Sequence, residues 1–144
     1  MKVNGAKSPP VVLVVEDEAL IRMTLVDYLE EAGFTVREAD GADVAVKMLT
    51  AGEAVDAVVT DVRMPGSMNG LGLISWIRDY CGVIPVIVTS GYVTRDDVRQ
   101  ANATAAVIPK PYAPRDISDL LHTLIRSASY TSAEPAADRY LSCD

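Results

Sequence analysis

Five short apolar runs, each followed by a segment with helical periodicity, constrain the fold of this chain more than any other feature. Two of the runs, Val11 to Val15 and Pro85 to Thr89, are continuously apolar and rich in β-branched residues. Continuous apolar runs of this length are typical of parallel strands that are covered on both faces. The other three predicted strands are Phe34 to Ala39, Ala57 to Thr60 and Ala105 to Ile108.

The segments between the runs carry apolar residues at the three- to four-residue spacing of helices that face a core. Two stripes are clear, from Leu20 to Ala32 and from Ile117 to Ile125. Shorter stripes span Val44 to Leu49, Leu71 to Ile77 and Thr94 to Asn102. Because strands alternate with helices five times, the sequence predicts an α/β fold with a doubly wound, five-stranded parallel sheet and five helices.

The length and composition indicate one domain. A chain of 144 residues that is 49% hydrophobic can form a single packed core. We expect this domain to span residues 8–127. Residues 1–7 and 128–144 are predicted to be flexible tails, because the C-terminal segment is small, polar and without periodicity.

The charge and the termini bear on partners and compartment. The net charge is −7, which argues against nucleic acid or an anionic membrane as a direct partner, since both favour a basic surface. The first ten residues contain no apolar segment, and no apolar run approaches the ~18 residues of a membrane span. Cys81 and Cys143 are far apart and form no disulfide or metal pattern. We therefore expect a cytoplasmic protein.

Polar side chains follow the predicted strands at the edge where such sheets bind ligands. Glu16 and Asp17 follow the first strand, Asp61 the third, Ser90 the fourth and Lys110 the fifth. An isolated Asp after a strand is usually only a turn former. Three carboxylates in one crevice, however, repel one another, and oxygen ligands without His or Cys favour a hard cation such as Mg²⁺. A carboxylate beside such an ion can attack phosphorus and form an aspartyl phosphate.

Four motifs at these strand ends resemble a known family. They are "VVEDE", "TDVRMPGSMNG", "TSGY" and "PKPY", each in the expected order. Together they resemble the receiver domains of bacterial two-component response regulators, of the chemotaxis-regulator type and in stand-alone form. The resemblance implies a flavodoxin-like sheet with the strand order 2-1-3-4-5.

The resemblance also implies a role for each site residue. Asp61 is expected to be the phosphoacceptor, and Ser90 and Lys110 to engage the phosphoryl group. The expected Mg²⁺ ligands are Asp17, Asp61, Glu16 through water, and the backbone carbonyl of Arg63. A cis peptide bond is expected between Lys110 and Pro111, although X–Pro bonds are cis in only ~5% of cases by default.

Two departures from the family pattern bear on switching and on phosphate lifetime. Val107 occupies the position at which the family often has a Tyr or Phe that acts as a rotameric switch. Tyr92 and Tyr112 are the aromatic residues that could replace it. The resemblance implies that the residues two beyond Asp61 and two beyond Ser90 flank the path of the hydrolytic water. Here they are Arg63 and Tyr92, and both are bulky. Slow self-dephosphorylation is therefore predicted.

The resemblance implies that a histidine kinase or histidine phosphotransfer protein supplies the phosphoryl group. A downstream protein would bind the face formed by the fourth helix, fifth strand and fifth helix, and the chain would be a monomer or a weak homodimer. We expect that the protein is not an enzyme and that it catalyses only its own phosphorylation and slow dephosphorylation. Two alternatives stay open: a Mg²⁺-dependent aspartyl-nucleophile phosphotransferase or phosphatase, which would favour a carboxylate where Arg63 stands, and a receiver-like binding module that is not phosphorylated.

Overall fold

The computed structural model describes residues 8–91 and 93–132, and in this part of the chain five strands alternate with five helices. Every predicted strand and helix is present, with boundaries shifted by a few residues at most sites. In chain order the elements are β1 (Val11–Val15), α1 (Ala19–Glu31), β2 (Thr35–Ala39), α2 (Ala42–Thr50), β3 (Ala57–Asp61), α3 (Gly70–Tyr80), β4 (Val86–Ser90), α4 (Arg95–Ala101), β5 (Ala106–Pro109) and α5 (Pro114–Ser132).

All neighbouring strands are parallel, and the sheet has the order β2-β1-β3-β4-β5. The expected fold class and strand order are therefore confirmed. The register aligns Val15 with Thr60, and Asp61 with Thr89 in the next strand. Because the order reverses between β1 and β3, the loops after these two strands leave the sheet side by side.

The sheet is covered on both faces, as the continuous apolar runs predicted. Leu13 and Val15 of β1 pack with residues of α2 and α3 in one buried cluster. Val12 and Val14 pack on the opposite face with residues of α1 and α5. The edge strand β2 is only partly buried, which accounts for its weaker apolar pattern.

Some details differ from the sequence expectations. Helix α3 begins at Gly70, one residue before the predicted stripe, and Asn69 caps this helix by accepting a hydrogen bond from the Gly72 amide at 2.9 Å. Helix α5 continues to Ser132, beyond the domain boundary expected at residue 127. Residues 1–7 and 133–144 lie outside the described part of the chain, so the flexible tails stay a prediction.

Cys81, at the C-terminal end of α3, is disulfide-bonded, although the spacing of the cysteines indicated no pairing. Cys143 lies outside the described residues. Among the described helices, none combines the length and the apolar character that crossing a bilayer requires.

Candidate functional site

Three carboxylates meet at the carboxyl end of the sheet. One oxygen atom from each of Glu16, Asp17 and Asp61 lies within 4.8 Å of the other two. Glu16 and Asp17 follow β1, and Asp61 ends β3, so the neighbouring positions of these strands bring the side chains together. The sequence placed all three at this edge, and the structure brings them into one cluster.

Asp61 is buried, with 6% of its surface exposed, and both of its carboxylate oxygens accept hydrogen bonds. Its Oδ1 accepts from the amide nitrogen of Val62 at 2.7 Å and, at a longer 3.4 Å, from that of Arg63. Its Oδ2 accepts from Lys110 Nζ at 2.9 Å. The local amides fix one oxygen of the carboxylate, and a cation from a distant strand end holds the other.

Glu16 is the carboxylate that burial perturbs most. Burial raises the pKa of Glu16 to about 7, helped by the negative charge of Asp61, although a hydrogen bond from the Glu18 amide to Oε2 at 3.1 Å opposes the shift. The shift disfavours the charged form of Glu16, chiefly because this carboxyl is buried, and the cluster sets three carboxylates against the one ammonium group of Lys110. Oxygen donors with such a surplus of negative charge fit a hard divalent ion.

Lys110 follows β5 and is held beside the site by its backbone. Its amide nitrogen donates to the carbonyl oxygen of Ser90 at 3.0 Å, and the Lys110–Pro111 peptide bond is cis, as expected. Burial lowers the pKa of Lys110, but the hydrogen bond and the charge of Asp61 outweigh it and raise the pKa above its usual value. Lys110 is therefore a permanent positive charge at this site.

Ser90 ends β4 and is buried. Its Oγ accepts a hydrogen bond of 2.8 Å from the backbone amide of Val93, just before α4. Thr94 then caps α4 through a reciprocal pair of hydrogen bonds with Asp97. The Ser90 hydroxyl thus connects the end of the sheet to the segment that starts α4.

The positions considered for a rotameric switch, Val107 and Tyr112, have different surroundings. Val107 is partly buried on β5 and packs against the core cluster under α3 and α4. Tyr112 packs against the opposite core cluster and also lines the cleft beside Asp61 and Lys110. Burial raises the pKa of Tyr112, and the charge of Glu16 adds to this effect. Tyr92 lies outside the described residues.

A cleft of about 940 Å³ opens over the acidic cluster. Its charged lining residues are Asp17, Glu18, Asp61, Arg63 and Lys110. The rest of its wall is largely apolar and comes from the start of α1 and the loop between β5 and α5; it includes Leu20, Ile21, Leu25, Pro111 and Pro114. The buried Asp61 carboxylate therefore lies in a cleft that extends onto an apolar surface.

Sequence reasoning missed Arg22 on α1. Its guanidinium donates to the backbone carbonyl of Glu16 at 2.7 Å and to the Glu38 carboxylate at 3.1 Å. It therefore holds the end of β1, from which two of the clustered carboxylates project. No local pattern indicates this role, because an Arg on an amphipathic helix is ordinarily a solvent-exposed residue.

Comparisons with known proteins agree with this architecture. A family model described as the response regulator receiver domain matches residues 12–122. The transcriptional regulatory protein ResD of Bacillus subtilis is 34% identical over 123 residues, which are 84% of this chain and 50% of that protein. The sensor kinase CckA of Brucella abortus is 33% identical over 127 residues, which are 86% of this chain and 13% of the kinase.

Solved structures show the same similarity. The crystal structure of a CheY-like response regulator receiver domain protein from Methanospirillum hungatei has a TM-score of 0.78 and 25% sequence identity. The match covers 86% of this chain and 99% of that one. The receiver domain of the hybrid histidine kinase CckA has a TM-score of 0.68 and 27% identity, over 80% of this chain and 98% of that one.

The chain belongs to the response regulator receiver domain family of two-component signalling. It spans about half the length of curated relatives such as ResD and a probable transcriptional regulator of a Picosynechococcus strain, which is 31% identical over 132 residues.

Proposed function

We propose that this protein is a phosphorylation-activated receiver in which Asp61 accepts a phosphoryl group from a histidine kinase or a histidine phosphotransfer protein. One observation carries the proposal: a buried carboxylate, held by two backbone amides and Lys110, lies in a cluster with two further carboxylates at the base of an open cleft. Burial and three donors fix the orientation of a group that would otherwise rotate freely, which favours attack along one direction.

The acidic cluster fits Mg²⁺ by the chemistry of its donors. Asp17 and Asp61 would hold the ion directly, Glu16 through water, and Arg63 through its backbone carbonyl. When bound, the ion would neutralise the surplus carboxylate charge and attract the oxygens of an incoming phosphoryl group. Such an ion would also favour the ionised form of Glu16 at neutral pH, although burial raises its pKa to about 7.

In the transfer step, one carboxylate oxygen of Asp61 forms a bond to phosphorus while the nitrogen–phosphorus bond of the donor phosphohistidine breaks. The imidazole of the donor leaves with its electron pair and takes up a proton from solvent. Lys110 already contacts Asp61 Oδ2 and can follow the negative charge onto the phosphoryl oxygens. The Val62 and Arg63 amides keep the carboxylate oriented during the attack.

The output would use the connection between Ser90 and α4. When the Ser90 hydroxyl turns to the phosphoryl group, the Val93 amide loses its present acceptor, and the start of α4 shifts. A downstream protein would then bind the face of α4, β5 and α5 in the phosphorylated state, because ligands change such an equilibrium only through differential affinity. We propose a signalling module, monomeric or weakly dimeric, that acts through protein contacts.

The proposal is tested by incubating the protein with acetyl phosphate, with and without Mg²⁺, and measuring its intact mass. We expect a Mg²⁺-dependent gain of roughly 80 Da in the wild type and none in Asp61→Asn. Asp56→Asn is the matched control, because Asp56 precedes the same strand at its opposite end and should leave the gain unchanged.

The negative outcomes distinguish the alternatives. A mass gain that persists in Asp61→Asn would show that another residue is the acceptor. No gain with acetyl phosphate, and none with a phosphorylated histidine phosphotransfer protein, would support a binding module that works without phosphate. Continuous release of phosphate from small phosphate esters would indicate an enzyme, which the absence of a carboxylate at Arg63 disfavours.

A further inference from the structure

Gly70, the first residue of α3, lies against the backbone of the phosphoacceptor. A Cβ atom built there in ideal geometry would lie 2.1 Å from the carbonyl oxygen of Asp61, 2.9 Å from the Asp61 carbonyl carbon and 2.7 Å from the Cα of Val62. All three atoms belong to the main chain, so no side chain can turn aside to make room. Only glycine fits at this position without displacing the Asp61–Val62 peptide.

Backbone conformation does not explain this glycine. The positive φ angles that favour glycine occur at Gly33, Gly52, Gly66 and Gly82, and Gly70 is not among them. A helix prefers alanine over glycine, because glycine loses more conformational freedom when it becomes ordered. Local propensity therefore disfavours glycine at this position, and its close approach to Asp61 is the remaining physical reason for it.

Hydrogen bonds also hold the Asp61–Val62 peptide and the Val62–Arg63 peptide that follows it. The Gly70 amide donates to the carbonyl oxygen of Val62 at 2.9 Å, and the Val62 amide donates to Asp61 Oδ1 at 2.7 Å. The start of α3, which Asn69 caps, is thus docked directly on the backbone that orients the reactive carboxylate. Any shift of this contact moves Asp61 and the Arg63 carbonyl together.

We infer that Gly70 is a positioning residue: its missing side chain lets α3 clamp the Asp61–Val62 peptide and so fixes the direction of the phosphoaccepting carboxylate. This inference rests on the proposed function of Asp61 as phosphoacceptor. To relieve a 2.1 Å contact, the peptide must move by on the order of 1 Å, and misplacement of that size can lower a reaction rate by about a hundredfold.

The matched variants are Gly70→Ala and Gly72→Ala. Both add one methyl group to the first turn of α3, but at Gly72 the nearest atom is Met68 Cγ at 2.8 Å, on a flexible side chain that can rotate away. We would measure the phosphorylation rate at saturating acetyl phosphate, the Kd for Mg²⁺ by calorimetry, and unfolding in urea. Gly70→Ala should phosphorylate 10- to 100-fold more slowly while still unfolding cooperatively, and Gly72→Ala should remain within twofold of the wild type.

A third variant keeps the test decisive if Gly70→Ala does not fold. Asn69→Ala removes the cap that holds the start of α3 but adds no bulk, and the clamp predicts a two- to fivefold slower phosphorylation in a folded protein. If Gly70→Ala, or Asn69→Ala in its place, phosphorylates at the wild-type rate, the inference is wrong.

The Mg²⁺ titration separates this inference from the proposed function. If the wild type is not phosphorylated, the proposed function fails, but a five- to tenfold weaker Mg²⁺ affinity in Gly70→Ala than in Gly72→Ala would still support the clamp on the carboxylate. Equal Mg²⁺ affinities in the wild type and in both glycine variants would overturn it.

Discussion

The carboxylates at the two ends of the sheet have opposite surroundings: one is paired with backbone groups, and three lie close to one another. At the amino end, Asp56 Oδ2 accepts the Val11 amide at 2.8 Å, while the Asp56 amide donates to the Val11 carbonyl at 2.7 Å. This reciprocal pair joins the starts of β1 and β3. At the carboxyl end of the same strands, three carboxylates lie within 4.8 Å of one another, and burial raises the pKa of Glu16 to about 7.

The difference separates stabilisation from function. At the amino end, the backbone amides of Val11 and Asp56 both have hydrogen-bond acceptors, and only one of these acceptors, the Asp56 carboxylate, is charged. Such an arrangement stabilises the fold. The carboxyl end brings three like charges together, and their repulsion lowers the stability of the folded state. Such a loss of stability is expected at a site that serves function. Variants at the carboxyl end should therefore change the chemistry of the site, and removal of a buried charge there should raise stability, whereas variants at the amino end should lower stability and leave the chemistry unchanged.

Lys110→Ala is expected to have the largest effect. It removes the cation that contacts Asp61 Oδ2 at 2.9 Å, so developing charge on the phosphoryl oxygens loses a donor and the phosphorylation rate should fall by about a hundredfold. Mg²⁺ affinity should stay equal or increase, because the ion no longer competes with the ammonium group for Asp61. The measurements are the phosphorylation rate with acetyl phosphate and a Mg²⁺ titration.

Lys47→Ala is the control for this variant, since Lys47 is an exposed cation in the last turn of α2. Its phosphorylation rate should match the wild type. Parallel losses of phosphorylation and of Mg²⁺ affinity in Lys110→Ala would contradict the separate role of the ammonium group and indicate a general collapse of the site.

Glu16→Gln should make the metal-free protein more stable at neutral and alkaline pH. The folded-state pKa of Glu16, about 7, lies above its ordinary value of 4.5, so the folded state binds this proton more tightly than the unfolded state. The wild type therefore loses stability as the pH rises from 4.5 to 7, whereas the amide has no charge to bury. We expect Glu16→Gln to be about 2 to 3 kcal/mol more stable at pH 8, with the difference vanishing near pH 4.

Urea unfolding with a chelator present, followed by the fluorescence of Trp76, measures this difference, because Trp76 is the single tryptophan of the chain. Glu18→Gln is the control, since Glu18 is an exposed carboxylate two residues away. Saturating Mg²⁺ should reduce or reverse the advantage of Glu16→Gln. Stability curves of the wild type and Glu16→Gln that run parallel from pH 4 to pH 8 would show that Glu16 carries no buried charge.

The two ends of the sheet also show which features of the site can be predicted from the sequence alone. The strand ends are visible because an apolar run stops at a polar residue, and a parallel sheet brings such positions to one edge, so the cluster of Glu16, Asp17 and Asp61 follows from pattern and topology. The roles of Arg22 and Gly70 do not follow, because both depend on tertiary contacts with backbone atoms. Arg22 resembles any exposed helical arginine, and Gly70 resembles any turn glycine.

Arg63→Asn should shorten the lifetime of the aspartyl phosphate. Arg63 is exposed and lines the cleft beside Asp61. In the proposed function its bulk would obstruct the water that must attack in line with the phosphorus–oxygen bond. A smaller side chain should speed hydrolysis about fivefold, a change of about 1 kcal/mol in the barrier. The decay of the phosphorylated mass after removal of donor gives the rate.

Arg126→Asn is the control, because Arg126 is an exposed residue on α5 that does not line the cleft. The phosphorylated form of the double variant Arg63→Asn, Tyr92→Ala should decay faster still. The reason is that Arg63 lies two residues beyond Asp61, and Tyr92 lies two residues beyond Ser90. Equal decay in the wild type and in the double variant would refute the obstruction of water by these side chains.

Asp56→Ala should have the smallest effect and the opposite character. It removes the acceptor of the Val11 amide, 2.8 Å away at the amino end of β1, in a partly exposed position where water can replace the carboxylate. The free energy of unfolding should therefore fall by about 1 kcal/mol, while the phosphorylation rate and the Mg²⁺ affinity should equal those of the wild type. If Asp56→Ala slowed phosphorylation as Lys110→Ala does, the two ends of the sheet would not be separable, and the acidic cluster would depend on the packing of the whole strand.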